Sequence, residues 1–371
     1  MSPYAHITGW GMAIPPRVLT NHDLAQMVDT SDEWIRERTG ILERHIAATG
    51  QTTATLAVEA GLNALRVANL NPAELDLIIV STSSPEHIFP ATACLVQDQI
   101  GALRAGAFDL LAACSGFIFA LNMAAQSIRS GSIRSALVIG AETLSRVTDW
   151  QDRDTCILFG DGAGAFVLQA SPEPGGLLSA VMRSDGSGGD LLSVPAGGSR
   201  LPASLETVQN RQHYIHMNGR EVFRFATRVM TQATKEAVAS ASLKIEDIHL
   251  VVPHQANSRI IDAAMRGLDI PRERCMVNVE RYGNTSTASI PIATCEAIQQ
   301  GRLQSGDKVV FVGFGAGLTW GAAVIHWTGP FLPRRQVYPT SYRLWVRLRS
   351  TLRRWLRRIE GWLWGRNTPE I

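Results

Sequence analysis

Short runs of almost uninterrupted apolar residues punctuate the chain: Leu75–Ser81, Ala136–Ile139, Leu250–Val252 and Val309–Val312. Runs of this length without alternation predict strands buried on both faces, in sheets covered by helices on each side. Between them lie longer stretches with apolar residues at three- and four-residue steps. One such stretch predicts a helix over Phe117–Ser130, closed by Gly131. The segments also recur. Ala68–Val80 (ANLNPAELDLIIV) aligns with Ala241–Pro253 (ASLKIEDIHLVVP) at an offset of 173, and Cys114–Gly131 (CSGFIFALNMAAQSIRSG) aligns with Asn284–Gly301 (NTSTASIPIATCEAIQQG) at an offset of 170. A duplicated α/β unit follows, in which two similar sheets share a helical layer to make a five-layered α/β/α/β/α body. The halves are residues 1–170 and 171–329, and 330–371 form a separate tail. Coincidental likeness between two ordinary α/β segments is the competing reading, and chemistry at matching positions counts against it.

Composition adds to this picture. Of the 371 residues 45% are hydrophobic and 18% charged, enough to bury a large core and too apolar for a disordered chain. The net charge of +2 hides an asymmetry: Phe331–Ile371 holds ten Arg, no Lys and two Glu, a net +8, which leaves −6 on residues 1–330. Five Cys (Cys94, Cys114, Cys156, Cys275, Cys295) without a C-x-x-C pair disfavour a zinc site or a disulfide framework and fit a reducing cytoplasm. The N-terminal MSPYAHITGWGMAIPP lacks the basic-then-apolar order of a secretory signal. The uncharged run Val309–Ile325 contains four Gly and is too short to span a bilayer, and no part of the chain is expected to cross one.

Three residues carry the candidate chemistry. Ala105–Ala113 leads into Cys114-Ser-Gly and a helix, so Cys114 sits at a strand-to-helix turn. Unpaired N–H groups and the helix dipole favour a thiolate there, which predicts a lowered pKa and a thiol able to attack a thioester or ester carbonyl. Taken alone, Cys114 reads equally as a small buried hydrophobe. Its partner in the repeat is Asn284, within another turn of small and hydroxyl residues. His254 follows a strand at its carboxyl end, where open sheets present functional groups. The duplication predicts that all three meet in one central cleft. Two Gly-rich loops are rejected as nucleotide sites: Gly160–Ala165 is followed by the strand-like Phe166–Gln169 where a helix is needed, and Gly313–Gly317 fails likewise. Both are read as tight turns that let backbone approach the active site. His249, at the base of a strand, is read as structural.

In order along the chain, Ser31–Ile41 (SDEWIRERTGI), Asp109–Gly116 (DLLAACSG), Phe159–Gly164 (FGDGAG), His254–Asn257 (HQAN), Gly283–Ser286 (GNTS) and Gly313–Gly321 (GFGAGLTWG) resemble the β-ketoacyl-[acyl carrier protein] synthase III family of condensing enzymes. The resemblance covers nearly all of residues 3–327 and implies the duplicated thiolase-like fold. It implies an acyltransferase that condenses an acyl-CoA with malonyl-[acyl carrier protein], releasing carbon dioxide and coenzyme A, without metal or redox cofactor. Cys114, His254 and Asn284 would be the catalytic set, and the backbone N–H groups of Cys114 and Ala316 the oxyanion hole. Thr30, Trp34, Arg38, Arg153, Gly219, Asn257, Arg259 and Phe314 would bind the coenzyme A substrate, with adenine between Trp34 and Arg153. Phe89 would reach across a homodimer interface to close the acyl pocket. Read alone, Trp34 is also a helix-packing aromatic and Arg153 a solvated charge. The family usually has Gly where Ala316 stands; the added methyl narrows the cleft or shifts acyl preference. A relative using a longer acyl group or another acceptor, or a membrane-recruited scaffold, are the alternatives.

Past Trp327 the resemblance stops. Within Tyr342–Trp364, Trp345, Leu348, Leu352, Trp355, Leu356, Ile359, Trp362 and Leu363 recur at steps of mostly three and four, with Arg343, Arg347, Arg353, Arg354, Arg357 and Arg358 mostly opposite. This predicts a basic amphipathic helix, and four of the nine Trp fall in it, as suits a bilayer interface. Docking on an acidic carrier or other partner, or packing back on the acidic body, are the alternatives. A continuous apolar stripe with four Trp exceeds what phosphate contact needs, so nucleic acid is not expected.

Overall fold

In the computed structural model, which describes residues 3–329 and 340–364, the apolar runs become strands of two mixed sheets, three of them inner and Leu250–Val252 at an edge. The first holds β1 (Tyr4–Ala13), β2 (Leu77–Ser81), β3 (Gly106–Leu110), β4 (Ser135–Glu142) and β5 (Gly162–Ser171), in the order β1-β5-β4-β2-β3. The second holds β6 (Gly176–Ser184), β7 (Leu250–Pro253), β8 (Lys308–Gly315) and β9 (Thr319–His326), in the order β7-β8-β9-β6. In each, two parallel strands (β2 with β4, β7 with β8) continue into two antiparallel ones. Strand for strand the second sheet copies the first, except that the place of β3 is reduced to a single bridge between Val251 and Cys275. The chain crosses from one half to the other between Ser171 and Gly176.

Helices fill the remaining three layers. They are α1 (Asp32–Thr39), α2 (Thr53–Ala68), α3 (Thr92–Ile100), α4 (Gly116–Arg129), α5 (Gly219–Ser240), α6 (Ser258–Leu268), α7 (Ser289–Gln299) and α8 (Thr340–Trp364). Leu56, Ala60, Ala64 and Val96 of α2 and α3 pack on the outer face of the first sheet, and Phe225, Val229, Ile261 and Met265 of α5 and α6 on that of the second. α4 and α7 lie between the sheets and are buried along most of their length, as a helix apolar on most sides must be. Phe117 of α4 meets Phe166 of β5 edge-on at 5.1 Å, and Phe166 lies 5.9 Å from Phe311 of β8, so one ring cluster joins both sheets through the central layer.

The repeat is real, but its register at the chemistry differs from the alignment above. Ala113 and Ser286 both adopt left-handed φ values, 46° and 49°, and each opens a 3₁₀ turn (Ala113–Ser115, Ser286–Ala288) ahead of α4 and α7. The structural partner of Cys114 is therefore Thr287, at the same offset of 173 that relates Ala68 to Ala241, and not Asn284. The 170 register returns at the far end, where Gly131 matches Gly301, because α4 has 14 residues and α7 has 11. Three residues are close to one helical turn, so apolar spacing cannot register their loss.

α8 rests on α3. Val346 and Ser350 are buried there, and Ser350 Oγ donates to Asp98 Oδ2 at 2.6 Å. The tail at 330–339 and 365–371, and the side chains of Arg343, Arg347, Arg354, Trp362 and Leu363, lie outside the described residues.

Candidate active site

Cys114 is held in the turn before α4, against the end of β8. A Cβ on Gly315 would lie 2.6 Å from the Cys114 nitrogen, so glycine is what lets the two backbones touch. His254 follows β7, and its N–H donates to Val312 O at 2.7 Å. At the 173 offset His254 matches Ser81, just as Thr287 matches Cys114. Thr287 Oγ1 donates to Ser81 Oγ at 2.8 Å, and the opposite pair in this internal symmetry, Cys114 and His254, lines a single cavity together with Asn284. The duplication thus brings His254 and the thiol to the same cavity.

That cavity, 710 Å³, has Trp34, Arg38, Gly219, Phe223, Asn257 and Arg259 along its walls and Cys114, His254, Asn284 and Phe314 on its lining. A second chamber of 530 Å³, mostly apolar, is lined by Leu111, Leu144, Val147, Leu192 and Ala316 among others. Cys114 and Phe159 line both. The departure at Ala316 therefore falls on the wall of the apolar chamber.

Burial sets the protonation states. Loss of water pushes the Cys114 thiol from 9.0 up to about 12, with a hydrogen bond to the Ser286 side chain pulling the other way and the Glu142 charge adding to the rise. The lowered thiol pKa expected from the helix end is not found: at 8% exposure, desolvation outweighs about half a charge of helix dipole. Burial also takes His254 from 6.5 down to about 3, so its ring is neutral. Its Nδ1 lies 2.7 Å from Ser289 Oγ, which also accepts the Gln255 N–H at 3.3 Å. The Ser289 hydroxyl proton is then free to go to Nδ1, which leaves the ring proton on Nε2. Nε2 is buried and makes no hydrogen bond among the described residues. Phe314 holds the ring from the side at 5.4 Å. Asn284 Oδ1 accepts the Ser286 N–H at 2.8 Å, so the amide presents its NH₂ as the remaining polar group.

At the mouth, the Trp34 ring carries the guanidinium of Arg38 at 4.5 Å and that of Arg153 at 4.4 Å. Arg153 occupies the place the resemblance assigns to adenine, so a ligand has to part the pair. Arg259 lies 5.8 Å from the Phe223 ring. Asn257 reaches the wall; its Oδ1 accepts the Arg259 N–H and its Nδ2 donates to Arg38 O, so its amide ties α6 to α1 and keeps one N–H and one lone pair for a ligand. Gly219 opens α5 on the cavity wall. Thr30 is off both walls, its hydroxyl buried beside α1. Phe89 is 83% exposed and lines neither chamber, so one chain does not bring it to the site. His249 is at the other end of β7, its Nδ1 3.5 Å from Asp307 Oδ1. Sequence reading missed Ser289, Phe159, Arg220 and Arg224. The two arginines were detectable as an i, i+4 pair opening α5; Ser289 becomes visible only once α7 is known to start there.

The family model described as 3-oxoacyl-[acyl-carrier-protein (ACP)] synthase III matches residues 108–186, and that of its C-terminal part matches residues 238–327. The beta-ketoacyl-[acyl-carrier-protein] synthase III of Roseiflexus sp. (strain RS-1) is 54% identical over 328 residues, 88% of this chain and 100% of the relative. The chain belongs to the β-ketoacyl-[acyl carrier protein] synthase III family. The synthase III of Symbiobacterium thermophilum is 57% identical over 321 residues, covering 86% of this chain and 97% of the relative. The crystal structure of the synthase III from Aquifex aeolicus VF5 superposes with a TM-score of 0.81 at 48% identity, over 87% of this chain and 100% of that one. This synthase III chain is accordingly a condensing acyltransferase on the thiolase-like α/β fold. The C-terminal family model stops at Trp327, and α8 lies beyond it.

Proposed function

We propose that the chain primes acyl-chain synthesis by joining the acyl group of an acyl-CoA to the malonyl unit of malonyl-[acyl carrier protein]. The observation that carries this reading is the position of Cys114, at the junction of a chamber rimmed by arginines and an apolar one. Phosphates and pantetheine suit the first, a fatty acyl group the second.

In the first half-reaction Cys114 Sγ attacks the acyl-CoA carbonyl, the tetrahedral oxyanion is held by the N–H groups of Cys114 and Ala316, and coenzyme A leaves carrying the thiol proton. In the second, the malonyl carboxylate departs as carbon dioxide and its bonding pair becomes an enolate. His254 Nε2–H and the Asn284 NH₂ donate to the enolate oxygen. The enolate carbon attacks the acyl-Cys114 carbonyl, the C–S bond breaks, and Cys114 regains a proton. A neutral imidazole is what this step requires, and burial keeps His254 neutral. Arg38, Arg220, Arg224 and Arg259 around the mouth suit the anionic arms of both substrates.

A homodimer fits the first sheet. β3 is its outer strand, with an open edge, and exposed Phe108, Leu111, Ile88 and Phe89 cluster about it. Pairing two β3 edges would cover these residues and carry Phe89 of one copy toward the other's apolar chamber. Coenzyme A thioesters and unpaired cysteines suit the cytoplasm.

Mass spectrometry of Cys114 after exposure to a graded series of acyl-CoAs, followed by malonyl-[acyl carrier protein], tests the reading. The expected result is an acyl mass on Cys114 that disappears when the malonyl carrier is added. An unmodified Cys114, or acyl groups on another residue, would refute it.

A further inference from the structure

We propose that α8 is a surface anchor that lays the enzyme on an anionic lipid bilayer, its axis along the membrane plane. This inference is independent of the condensation chemistry. Among the described residues, α8 is buried against the body at Val346 and Ser350, which face α3, and Ser350 is hydrogen-bonded to Asp98. Its apolar stripe lies elsewhere. Leu348, Leu352, Trp355 and Leu356 are all exposed, Leu352 by 55% and Trp355 by 59%. At about 100° per residue the centre of this stripe is roughly 150° around the helix from Val346 and Ser350. Docking on α3 therefore leaves the stripe turned outward.

The charge pattern selects the occupant. Arg353, Arg357 and Arg358 are exposed, and Glu360 is the only acidic residue in the helix. A second copy of α8 would set one +8 tail against another. Arginines stand on both flanks of the stripe, Arg349 and Arg353 on one side and Arg358 on the other, with Arg349 stacked on the Trp345 ring at 5.4 Å. That is the arrangement of a helix half-sunk at a headgroup boundary: leucines reach the acyl chains, indoles sit at the interface, and guanidiniums stay with the phosphates. A helix seated in a protein groove needs apolar anchors but not a basic border on each side. Crossing is not an option, because arginines occur on every turn and no helix among the described residues is long and apolar enough to span. α3, on which α8 rests, lines neither chamber, so the anchor leaves the catalytic cleft alone.

The test uses the full chain with sedimented vesicles of phosphatidylcholine containing phosphatidylglycerol, and of phosphatidylcholine alone, read by pelleting and by tryptophan emission. Binding to the anionic vesicles only, with a blue-shifted emission, is expected. The double variant Leu352→Glu, Trp355→Glu should stay in the supernatant. Arg353→Gln and Arg358→Gln should each weaken partitioning roughly fivefold. Circular dichroism and condensation in vesicle-free solution should be unchanged in all of them, which separates loss of anchoring from loss of folding. The proposal fails if the parent chain does not pellet with anionic vesicles or if the stripe variant pellets equally well. It also fails if the stripe instead drives self-association, or capture of the carrier protein, without vesicle binding.

Discussion

The two halves of the molecule put the same two positions face to face and fill them with different chemistry. On one side of the internal symmetry Thr287 meets Ser81 through a 2.8 Å hydrogen bond, and both hydroxyls are buried. On the other, Cys114 and His254 line one cavity, and the imidazole keeps an Nε2 without a partner among the described residues. The position two residues on from Cys114 and Thr287 differs too. Gly116 has no room for a side chain, because a Cβ there would lie 2.2 Å from Ser81 Oγ. Its counterpart Ser289 places its hydroxyl against His254 Nδ1. Duplication supplies the geometry twice; six residues decide that one copy is a closed structural contact and the other an open cavity. The sheets diverge in the same way: β3 is a full outer strand, whereas the matching place in the second half is one bridge.

Removing the nucleophile should break the difference most completely. Cys114→Ala is expected to lower condensation by at least about 10⁴-fold and to abolish covalent acyl-enzyme, seen by mass spectrometry, while decarboxylation of malonyl-carrier persists. Next come the donors and their support. Asn284→Ala should cost roughly 10²–10³-fold in condensation with acyl transfer to Cys114 kept, and Ser289→Ala roughly tenfold or more by freeing the imidazole tautomer. Rapid-quench measurement of the two half-reactions separates these effects, since a purely structural role for Ser289 would slow both alike.

pH probes the same imidazole through stability. With His254 at about 3 in the folded chain and 6.5 ordinarily, the unfolded chain binds the extra proton, so this contribution is intact above pH 6.5 and is lost as pH falls toward 3. A loss on the order of a few kcal/mol by pH 4 is expected from this group. Glu142, which burial moves from 4.5 up to about 7, acts in the opposite sense: its contribution is present below 4.5 and fades as pH rises through 7. Urea unfolding of the parent and His254→Asn at a series of pH values isolates the histidine, and parallel pH curves for the two would contradict the neutral assignment. The smallest effect belongs to the structural copy. Ser81→Ala should lower stability by about 1 kcal/mol in urea unfolding and leave condensation within a few-fold of the parent; a large loss of activity would show that both copies are used.

Much of the site was legible along the chain because its parts sit at element ends that motifs mark. Cys114 precedes a helix, His254 follows a strand, and both lie where the repeat predicted. Asn284 was found for the wrong reason: it enters the cleft from the loop ahead of the true partner, Thr287, and a slip of three residues leaves the apolar pattern unchanged. Ser289 was missed because a serine at a helix start looks like any other until the ring beside it is known.

What the amino-acid order determined by itself was the family, the duplicated architecture, the meeting of Cys114, His254 and Asn284 in one cleft, and a basic amphipathic tail, since apolar periodicity, turn residues and charge are properties of neighbours along the chain. Protonation was decided elsewhere: a thiol raised to about 12 and an imidazole lowered to about 3 follow from burial by both halves together. So was the outward face of α8, which depends on the side that rests on α3. Solvent exclusion and orientation are set by contacts between residues far apart in sequence, and only the folded chain brings those together.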